Sequence, residues 1–383
     1  MVVLRRVLLP GVLLLPLLAC AGADTPTGVD LSFPELGMES PVAQPFSPLV
    51  RLTVPTYDGS GQAVHPDVLW FPQPWHGWEY WMAFTPYPQG QERFENPSIV
   101  VSHDGVRWEV PAGLSNPLVG SLRKPAYNSD PDLSYDAAHD RLVLIYREVR
   151  AGFNNVYSIS SKDGSTWGER RMVFRRRNHG MISPTIVIPA SGQPMVWYVD
   201  GGRNRCARRV TRVMRQTATA ADALAPRGVD RGWTFPRLAH LEQNGYMIWH
   251  LDVVAVPAKG EYWALYPAYT RKGCGTRDLF FARSRDGVTW TTYPRPLLRH
   301  EDERWTSAML YRASALYDAS RDVVRIFLSA QAPGAEWRLG SVEFKYPELL
   351  AALEGRAALP GISHSMLHSG GPPALPVDED ALP

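Results

Sequence analysis

The chain has 383 residues, of which 45% are hydrophobic and 20% are charged, so it can bury a large core in one or two domains. Its formal net charge of +2 gives no electrostatic basis for binding nucleic acid. The 13 Trp and 16 Tyr residues lie in short segments separated by 34 Pro and 31 Gly residues, a composition typical of an all-β protein with many turns.

The N-terminal segment is predicted to be a targeting signal. A basic MVVLRR stretch precedes the apolar stretch VLLPGVLLLPLLA, which is too short and too interrupted by Pro to span a bilayer comfortably. The LLAC sequence ending at Cys20 resembles a bacterial lipoprotein box. We therefore expect residues 1–20 to form a lipoprotein-type signal, with cleavage directly before Cys20. The lipidated Cys20 then becomes the new N-terminus and anchors the protein to the cell envelope, outside the cytoplasm. The alternative is cleavage at AGA (21–23), which gives a secreted protein.

The remaining cysteines and the chain ends give further expectations. An exported chain permits a disulfide between Cys206 and Cys274, and the alternative is that they are distant and reduced. Residues 21–50 are Pro-rich and unpatterned, so they are predicted to form a tether. Residues 51–354 form the predicted folded domain, and 355–383 a disordered tail.

A seven-residue turn motif occurs three times. The pattern is Ser-x-Asp-Gly-x-x-Trp, and its copies are SHDGVRW at 102–108, SKDGSTW at 161–167 and SRDGVTW at 284–290. Asp-Gly favours a tight hairpin turn, and we expect the Ser and Trp to pack on either side of it. The repetition indicates a protein built from similar units.

A second repeat gives the number of units. Five segments place polar residues at the start of an apolar strand: HPDVLWFP at 65, DPDLSYD at 130, SPTIVIP at 183, HLDVVAVP at 250 and RASALYD at 312. Their spacing of 53 to 67 residues suits a four-stranded antiparallel sheet, and five such sheets close into a ring. We therefore predict an all-β, five-bladed β-propeller of four-stranded antiparallel blades. A β-sandwich or β-helix explains the repeats less well.

These motifs resemble those of the five-bladed propeller glycosidases, namely the arabinanase and xylosidase family 43 and the related fructan-acting and agar-oligosaccharide-acting families. The turn motif is also similar to the Asp-box of sialidases. The resemblance implies a glycoside hydrolase with an Asp-Pro base in the first blade and a further Asp and Glu around a central funnel. In this chain the first blade has His65-Pro66, and Asp130-Pro131 lies in the second blade.

Aligning the five units defines two polar positions at the start of each innermost strand. The first position comprises His65, Asp130, Ser183, His250 and Arg312, and the second comprises Asp67, Asp132, Thr185, Asp252 and Ser314. Residues two apart on a strand share one face, so both positions are expected to face the central channel.

Carboxylates and imidazoles that converge in this way can perform acid/base hydrolysis of a glycosidic bond. We expect Asp130 and Asp132 to form the acidic centre, with Asp67 and Asp252 as base or pKa modulator. His65 or His250 would act as acid or substrate ligand. The predicted substrate-binding residues are Glu95, His179, Arg312, Trp81, Tyr87 and Trp249. A structural role at the strand starts is the alternative.

The absence of several known motifs excludes some classes of function. The sequence has no H-E-x-x-H, C-x-x-C, Walker or dinucleotide pattern, so no metal site or cofactor is predicted, although channel carboxylates can hold a structural cation. The Arg-rich segment 203–215 is a solvated loop or a site for an acidic sugar. We expect a monomeric glycoside hydrolase whose partner is a carbohydrate and whose only membrane contact is the lipid anchor. A non-catalytic glycan-binding propeller and a His-based polysaccharide lyase are the alternatives.

Overall fold

The computed structural model describes residues 47–190, 193–202, 211–219, 223–224, 228–243, 246–270 and 276–355. It confirms the predicted five-bladed β-propeller. The predictions for Cys20, Cys206 and Cys274 fall outside the described residues and stay predictions, as do those for the signal segment. No helix in the described part of the chain is long and apolar enough to cross a membrane.

Each blade is an antiparallel sheet whose first strand lies innermost. Blade 1 contains β2 (Ala63–Trp75), β3 (Trp78–Pro86) and β4 (Ser98–Ser102). Blade 2 contains β5 (Tyr127–Asp136), β6 (Arg141–Arg150), β7 (Phe153–Ser161) and β8 (Arg171–Arg177). Blade 3 contains β9 (Ile182–Val187), β10 (Met195–Asp200), β11 (Arg212–Thr217) and β12 (Arg237–Leu238).

The innermost strand of blade 4 is interrupted, because β13 and β14 both pair with β15. Blade 4 contains β13 (Tyr246–Ile248), β14 (Asp252–Val256), β15 (Glu261–Thr270), β16 (Thr276–Ser284) and β17 (Thr291–Thr292). Blade 5 contains β18 (Met309–Asp318), β19 (Val323–Ala332), β20 (Glu336–Lys345) and β1 (Val50–Leu52). The N-terminal strand β1 thus completes the last blade and closes the ring. One helix, α1 (Tyr346–Leu353), follows β20.

The repeated turns join neighbouring blades. In the turn of blade 4, the Ser284 hydroxyl accepts a hydrogen bond from the Gly287 amide at 2.9 Å, and the same bond forms in the other two copies. Gly287 packs against Trp197 of blade 3, whose indole Nε1 donates to the Gly287 carbonyl at 2.7 Å. Gly164 of blade 2 packs against the ring of Trp81 of blade 1, whose indole Nε1 donates to the Trp75 carbonyl at 3.3 Å. The Trp81 ring therefore packs between blades 1 and 2. It is not available to stack on a sugar, which was the role predicted for it.

Replacing Gly287 by Ala is expected to destabilise the propeller. The residue has a φ of +67°, and an added Cβ would lie 2.6 Å from Cζ2 of Trp197. We expect a loss of about 2–4 kcal/mol in the free energy of unfolding, measured with a chemical denaturant. Gly260→Ala is the control, because its φ is +63° but no atom lies within 4 Å of the added Cβ. Equal losses in both variants would contradict a packing role for this turn.

Candidate active site

A bulge at the start of the inner strands positions the predicted site residues. The pairing register shifts between Val64 and Asp67 in β2 and between Ser129 and Asp132 in β5. His65 and Asp130 lie in these bulges with φ of +56° and +48°, a left-handed conformation that costs free energy in non-glycine residues. Each is followed by Pro, which has no N–H to pair, so the bulge leaves no orphaned donor at that position.

The two aligned positions form two separate layers of buried side chains. We call the first positions the upper ring and the second positions the lower ring. The upper ring comprises His65, Asp130, Ser183, His250 and Arg312, and all five are 0% exposed. The lower ring comprises Asp67, Asp132, Thr185, Asp252 and Ser314, and these are at most 5% exposed. The sequence therefore predicted correctly that ten polar side chains meet in the centre of the propeller.

Asp130 is at the centre of the upper ring. Its Oδ2 lies 2.9 Å from Nε of Arg147 and accepts a hydrogen bond of 2.9 Å from the Ser183 amide. Its Oδ1 faces the two imidazoles, 3.2 Å from Nε2 of His65 and 3.7 Å from Nδ1 of His250. Burial alone would raise the pKa of Asp130, but Arg147 and the imidazoles hold it below its usual range. The carboxylate is therefore charged and has one oxygen available to a ligand.

The two histidines are neutral and have nitrogen atoms without hydrogen-bond partners. Burial lowers the pKa of His65 to about 3 and lowers that of His250 well below its usual value. Nδ1 of His65 lies 2.9 Å from the Thr85 hydroxyl, which leaves its Nε2 directed at Asp130. Nε2 of His65 and both ring nitrogens of His250 are buried, and none makes a hydrogen bond of good geometry. Buried polar atoms normally have a hydrogen-bond partner, so these nitrogen atoms are candidate ligands for a bound ion or water.

The lower ring connects the inner strands of neighbouring blades. Asp67 of β2 accepts a hydrogen bond from the Leu133 amide of β5, and Asp132 of β5 accepts one from the Ile186 amide of β9 at 2.8 Å. Thr185 of β9 continues the pattern, because its hydroxyl accepts a bond of 3.1 Å from an amide of β14. The predicted catalytic residues Asp67 and Asp132 thus hold blades together.

Arg312 extends from the upper ring into the lower ring. Its Nη2 lies 2.9 Å from Oδ2 of Asp132 and 3.9 Å from Oδ1 of Asp252. Arg312 also interacts electrostatically with Asp67. This buried arginine therefore balances the charge of the lower-ring carboxylates, and it is not placed for the substrate contact that was predicted for it. Burial raises the pKa of Asp132 to about 6. Burial and the Asp132 charge raise that of Asp252 to about 7, and burial with both neighbouring carboxylates raises that of Asp67 well above its usual range.

Two groups of side chains have the composition and spacing of cation sites. One consists of His65, Asp130 and His250, and the other of Asp67, Asp132 and Asp252. In each group one ligand atom from every member lies within 4.8 Å of the others. In the second group, Arg312 already supplies positive charge and backbone amides occupy carboxylate oxygens. The first group is therefore the better candidate for a ligand.

Two further ionisable residues border Asp130. Arg147 of β6 was not predicted as a site residue, and the only signal for it in the sequence is a charge at the end of an apolar strand. Glu95 was predicted as a substrate ligand and lies buried beside Ser129, whose hydroxyl donates to Oδ1 of Asp130 at 3.3 Å. Burial raises the pKa of Glu95 well above its usual range, with a further rise from Asp130. Two neighbouring carboxyl groups thus have pKa values that are shifted in opposite directions.

Aromatic rings cover the upper ring. Tyr311 packs against His250 with ring centroids 4.0 Å apart and against His65 at 5.2 Å. Trp337 connects Tyr311 to Tyr87, with centroid distances of 5.1 and 5.5 Å. The predicted sugar ligand Tyr87 is thus one layer away from the imidazoles, and it is 3% exposed.

Two other predicted substrate ligands lie together beside this region. His179 and Trp249 have ring centroids 5.6 Å apart. Trp249 lies in the interruption of the innermost strand of blade 4, directly before His250, and it is buried. His179 is half-buried and lies in the loop that leads into β9.

The centre of the propeller also contains a cavity of about 330 Å³ on the far side of the lower ring. Asp67, Asp132 and Asp252 line it, together with Trp70 and Tyr317 near the ends of inner strands. The cavity and the upper ring are therefore on opposite sides of the lower-ring carboxylates.

Comparison with known proteins relates this architecture to carbohydrate-processing enzymes. No known protein-family profile matches the chain. A curated relative, the A type blood N-acetyl-α-D-galactosamine deacetylase of Flavonifractor plautii, is 26% identical over 395 residues, which cover 84% of this chain and 49% of that protein. The chain therefore spans about half the length of the curated relative that it matches.

Three solved structures share the fold. An N-acetylgalactosamine deacetylase from F. plautii, in complex with blood group B trisaccharide, has a TM-score of 0.71 and 24% identity, and the match covers 81% of this chain and 97% of that chain. The catalytic domain of a family 62 α-L-arabinofuranosidase from Coprinopsis cinerea has a TM-score of 0.55, 14% identity and coverages of 79% and 98%. A xylan β-1,4-xylosidase from Bacillus halodurans has a TM-score of 0.52, 13% identity and coverages of 78% and 53%. The predicted resemblance to five-bladed propeller glycosidases is thus confirmed in the fold, and these relatives support a carbohydrate-active protein.

The raised pKa values of the lower ring predict a pH-dependent stability. Between about pH 4 and pH 7 the folded protein retains protons on Asp132 and Asp252 that the unfolded chain has released. The free energy of unfolding should therefore fall as the pH rises through this range. Asp252→Asn removes part of this proton uptake, so its free energy of unfolding should decline less steeply than that of the wild type.

Denaturant titrations at a series of pH values from 4 to 8 measure the free energy of unfolding of the variant and of the wild type, and the two pH dependences are compared. The exposed Glu242→Gln is the control and should parallel the wild type. Parallel curves for Asp252→Asn and the wild type would contradict the assignment.

Proposed function

We propose that this protein is a carbohydrate-active hydrolase that removes acetyl groups from N-acetylated sugars, with His65, Asp130 and His250 as its reactive centre. The observation that carries the proposal is the convergence of these side chains, with buried nitrogen atoms that lack partners. The similarity to a deacetylase, which includes 84% of this chain, supports the same reaction.

The upper-ring cluster fits a divalent metal ion. Metal ligation requires neutral imidazoles and an ionised carboxylate, which are the forms favoured here by burial and by Arg147. The hydroxyl of Thr85 fixes the ring orientation of His65, as hydrogen-bond partners of metal-bound histidines commonly do. Two imidazoles and one carboxylate leave further coordination positions for substrate. An ion held there would polarise the carbonyl of the acetyl group.

The surrounding residues supply the remaining chemistry. Glu95 is the candidate general base that takes a proton from the attacking water and returns it to the leaving nitrogen. The amide C–N bond breaks, and the products are acetate and the free amine of the sugar. Arg147 keeps Asp130 ionised through its contact of 2.9 Å. Tyr311 packs against both imidazoles and limits the access of bulk water.

Glycoside hydrolysis is the second candidate function. The pKa values of Asp130 and Glu95 are shifted in opposite directions, a pattern that suits a base and an acid acting on a glycosidic bond. In this reaction Asp130 would act through its Oδ1, since Arg147 and the Ser183 amide occupy Oδ2. This reaction releases a reducing sugar and no acetate, so the products distinguish the two candidates.

The proposed reaction predicts acetate release that depends on a bound metal ion. The assay incubates the full chain with a panel of N-acetylated oligosaccharides and measures acetate and reducing sugar in parallel. Removing metal with a chelator should abolish acetate release, and adding Zn²⁺ or Mn²⁺ should restore it. His250→Gln should lower both metal content and acetate release by at least about 100-fold, because one ligand of three is lost.

His240→Gln, a change at an exposed histidine, is the matched control and should retain both properties. Acetate release that persists in metal-free protein would contradict the metal-dependent reaction. Release of reducing sugar without acetate would favour the glycosidase alternative.

Glu95→Gln separates proton transfer from metal binding. The variant should keep its bound metal and lose about 100-fold to 10,000-fold in kcat, because the amide cannot accept a proton. In the wild type, activity should fall at low pH as Glu95 takes up its proton, and the raised pKa moves this fall to higher pH than for an exposed Glu. A variant with wild-type kcat and the same acidic limb would exclude Glu95 as the base.

A further inference from the structure

We propose that the cavity on the far side of the lower ring binds a small organic cation, whose ammonium head contacts Asp67 and Asp252 and whose apolar body lies towards the opening. We call this space the far-side cavity. Its volume of about 330 Å³ is within the range of small-molecule sites. None of the upper-ring residues lines it, so the site is separate from the proposed reactive centre. Its far end is lined by Ala255 and Ala319, which are exposed.

The floor of the far-side cavity has carboxylate oxygens that the protein leaves free. Asp67 is 5% exposed, and its Oδ2 accepts a hydrogen bond from the Leu133 amide. No hydrogen bond or ion pair within the described residues engages its Oδ1. Oδ2 of Asp252 is buried and makes no hydrogen bond of good geometry. Buried oxygen atoms normally accept a hydrogen bond, so a ligand that supplies N–H groups would satisfy both.

The charge of this floor favours a cation over a neutral or anionic ligand. One carboxylate oxygen each from Asp67, Asp132 and Asp252 lies within 4.8 Å of the other two. The neighbouring guanidinium of Arg312 lies 2.9 Å from Asp132 but 3.9 Å from Asp252. Among the described residues that line the cavity, none is an arginine, lysine or histidine. An ammonium group has three N–H donors and forms strong hydrogen bonds with carboxylates, so it suits this floor.

The wall next to this floor is largely aliphatic. Four cavity-lining residues follow a lower-ring residue by two positions on the same inner strand, and they are Leu69, Val187, Val254 and Leu316. The strand pairing is regular over these steps, so each lies on the same face as its lower-ring neighbour. The equivalent residue of blade 2, Ser134, donates its hydroxyl to a backbone carbonyl at 2.6 Å.

This wall indicates that the ligand has an apolar body. Leu69, Val254 and Leu316 are half-buried, so apolar surface remains for a ligand to cover. A metal ion suits the cavity less well, because Ca²⁺ takes at least six oxygen ligands and a hydrated ion gains nothing from aliphatic groups. A compact hydrocarbon with one ammonium group matches both the floor and the wall.

The test measures binding of cyclohexylammonium to the full chain by isothermal titration calorimetry at neutral pH. Cyclohexanol and cyclohexanecarboxylate are the matched ligands, because they have the same ring with a neutral or an anionic head. The wild type should bind cyclohexylammonium at least about 10-fold more tightly than either, since only its head donates charge-assisted hydrogen bonds to the carboxylates. Ammonium ion without the ring should also bind at least about 10-fold more weakly, because the contact with the aliphatic wall is lost.

Two variants locate the site. Asp67→Asn removes one charge from the floor and should weaken binding at least about 10-fold. Val254→Phe fills the cavity, keeps all three carboxyl groups and should also weaken binding, so the test does not depend on the folding of the first variant. Val106→Phe makes the same change at a position that is 41% exposed and lies outside the cavity, and it should bind like the wild type.

Two results would overturn the inference: no preference for cyclohexylammonium over cyclohexanol, or equal binding by Val254→Phe and Val106→Phe. A wild type that binds none of the cyclohexyl compounds would overturn it as well. Binding is measured without turnover, and the inference does not rest on the proposed function. A protein that binds cyclohexylammonium in this way but releases no acetate therefore supports the inference and contradicts only the proposed function.

Discussion

The centre of this propeller depends on the contact between the buried Asp130 carboxylate and Arg147. An ionised group without exposed surface is costly unless neighbouring groups compensate it, and here Arg147 and the Ser183 amide do so. These contacts connect the innermost strand of blade 2 with its second strand and with blade 3. They also fix which oxygen of Asp130 remains available. Asp130 has a left-handed backbone conformation and is followed by a proline. The free energy that this backbone conformation costs is the local penalty for holding the carboxylate there.

The sequence suggested a single site, whereas the two rings have different roles. In the lower ring, the carboxylates are engaged by amides of the next blade and by Arg312, so they maintain the spacing of the inner strands. In the upper ring, the imidazoles of His65 and His250 have nitrogen atoms that no protein group satisfies. Chemistry is therefore expected at Asp130 and the two imidazoles, whose nitrogen atoms lack a protein partner. A structural role is expected at Asp67 and Asp132, which accept hydrogen bonds from amides of the next blade. This distinction separates Asp130 from Asp132, although only one residue lies between them.

The repeated polar positions predicted the number of blades and the convergence of ten side chains, because residues two apart share one face of a strand. They did not predict the roles of the two rings, since those roles depend on bulges and on partners in other blades. Arg147 was missed because its partner lies on a neighbouring strand across a register shift. Trp81 was expected to stack on sugars, but Gly164, 83 residues further along the chain, packs against its ring. Contacts between blades of this kind leave no periodic signal in a sequence.

The proposed function requires that the upper ring binds a divalent metal ion through two imidazoles and one carboxylate. X-ray absorption at the metal edge of the Zn²⁺-loaded protein tests it most directly, because nitrogen-bound imidazole rings give a characteristic multiple-scattering pattern. We expect two histidine ligands, with oxygen ligands completing the site, and a loss of that pattern when His65 and His250 are replaced. A coordination sphere of oxygen atoms alone would indicate an ion in the lower ring and would contradict metal binding by His65 and His250.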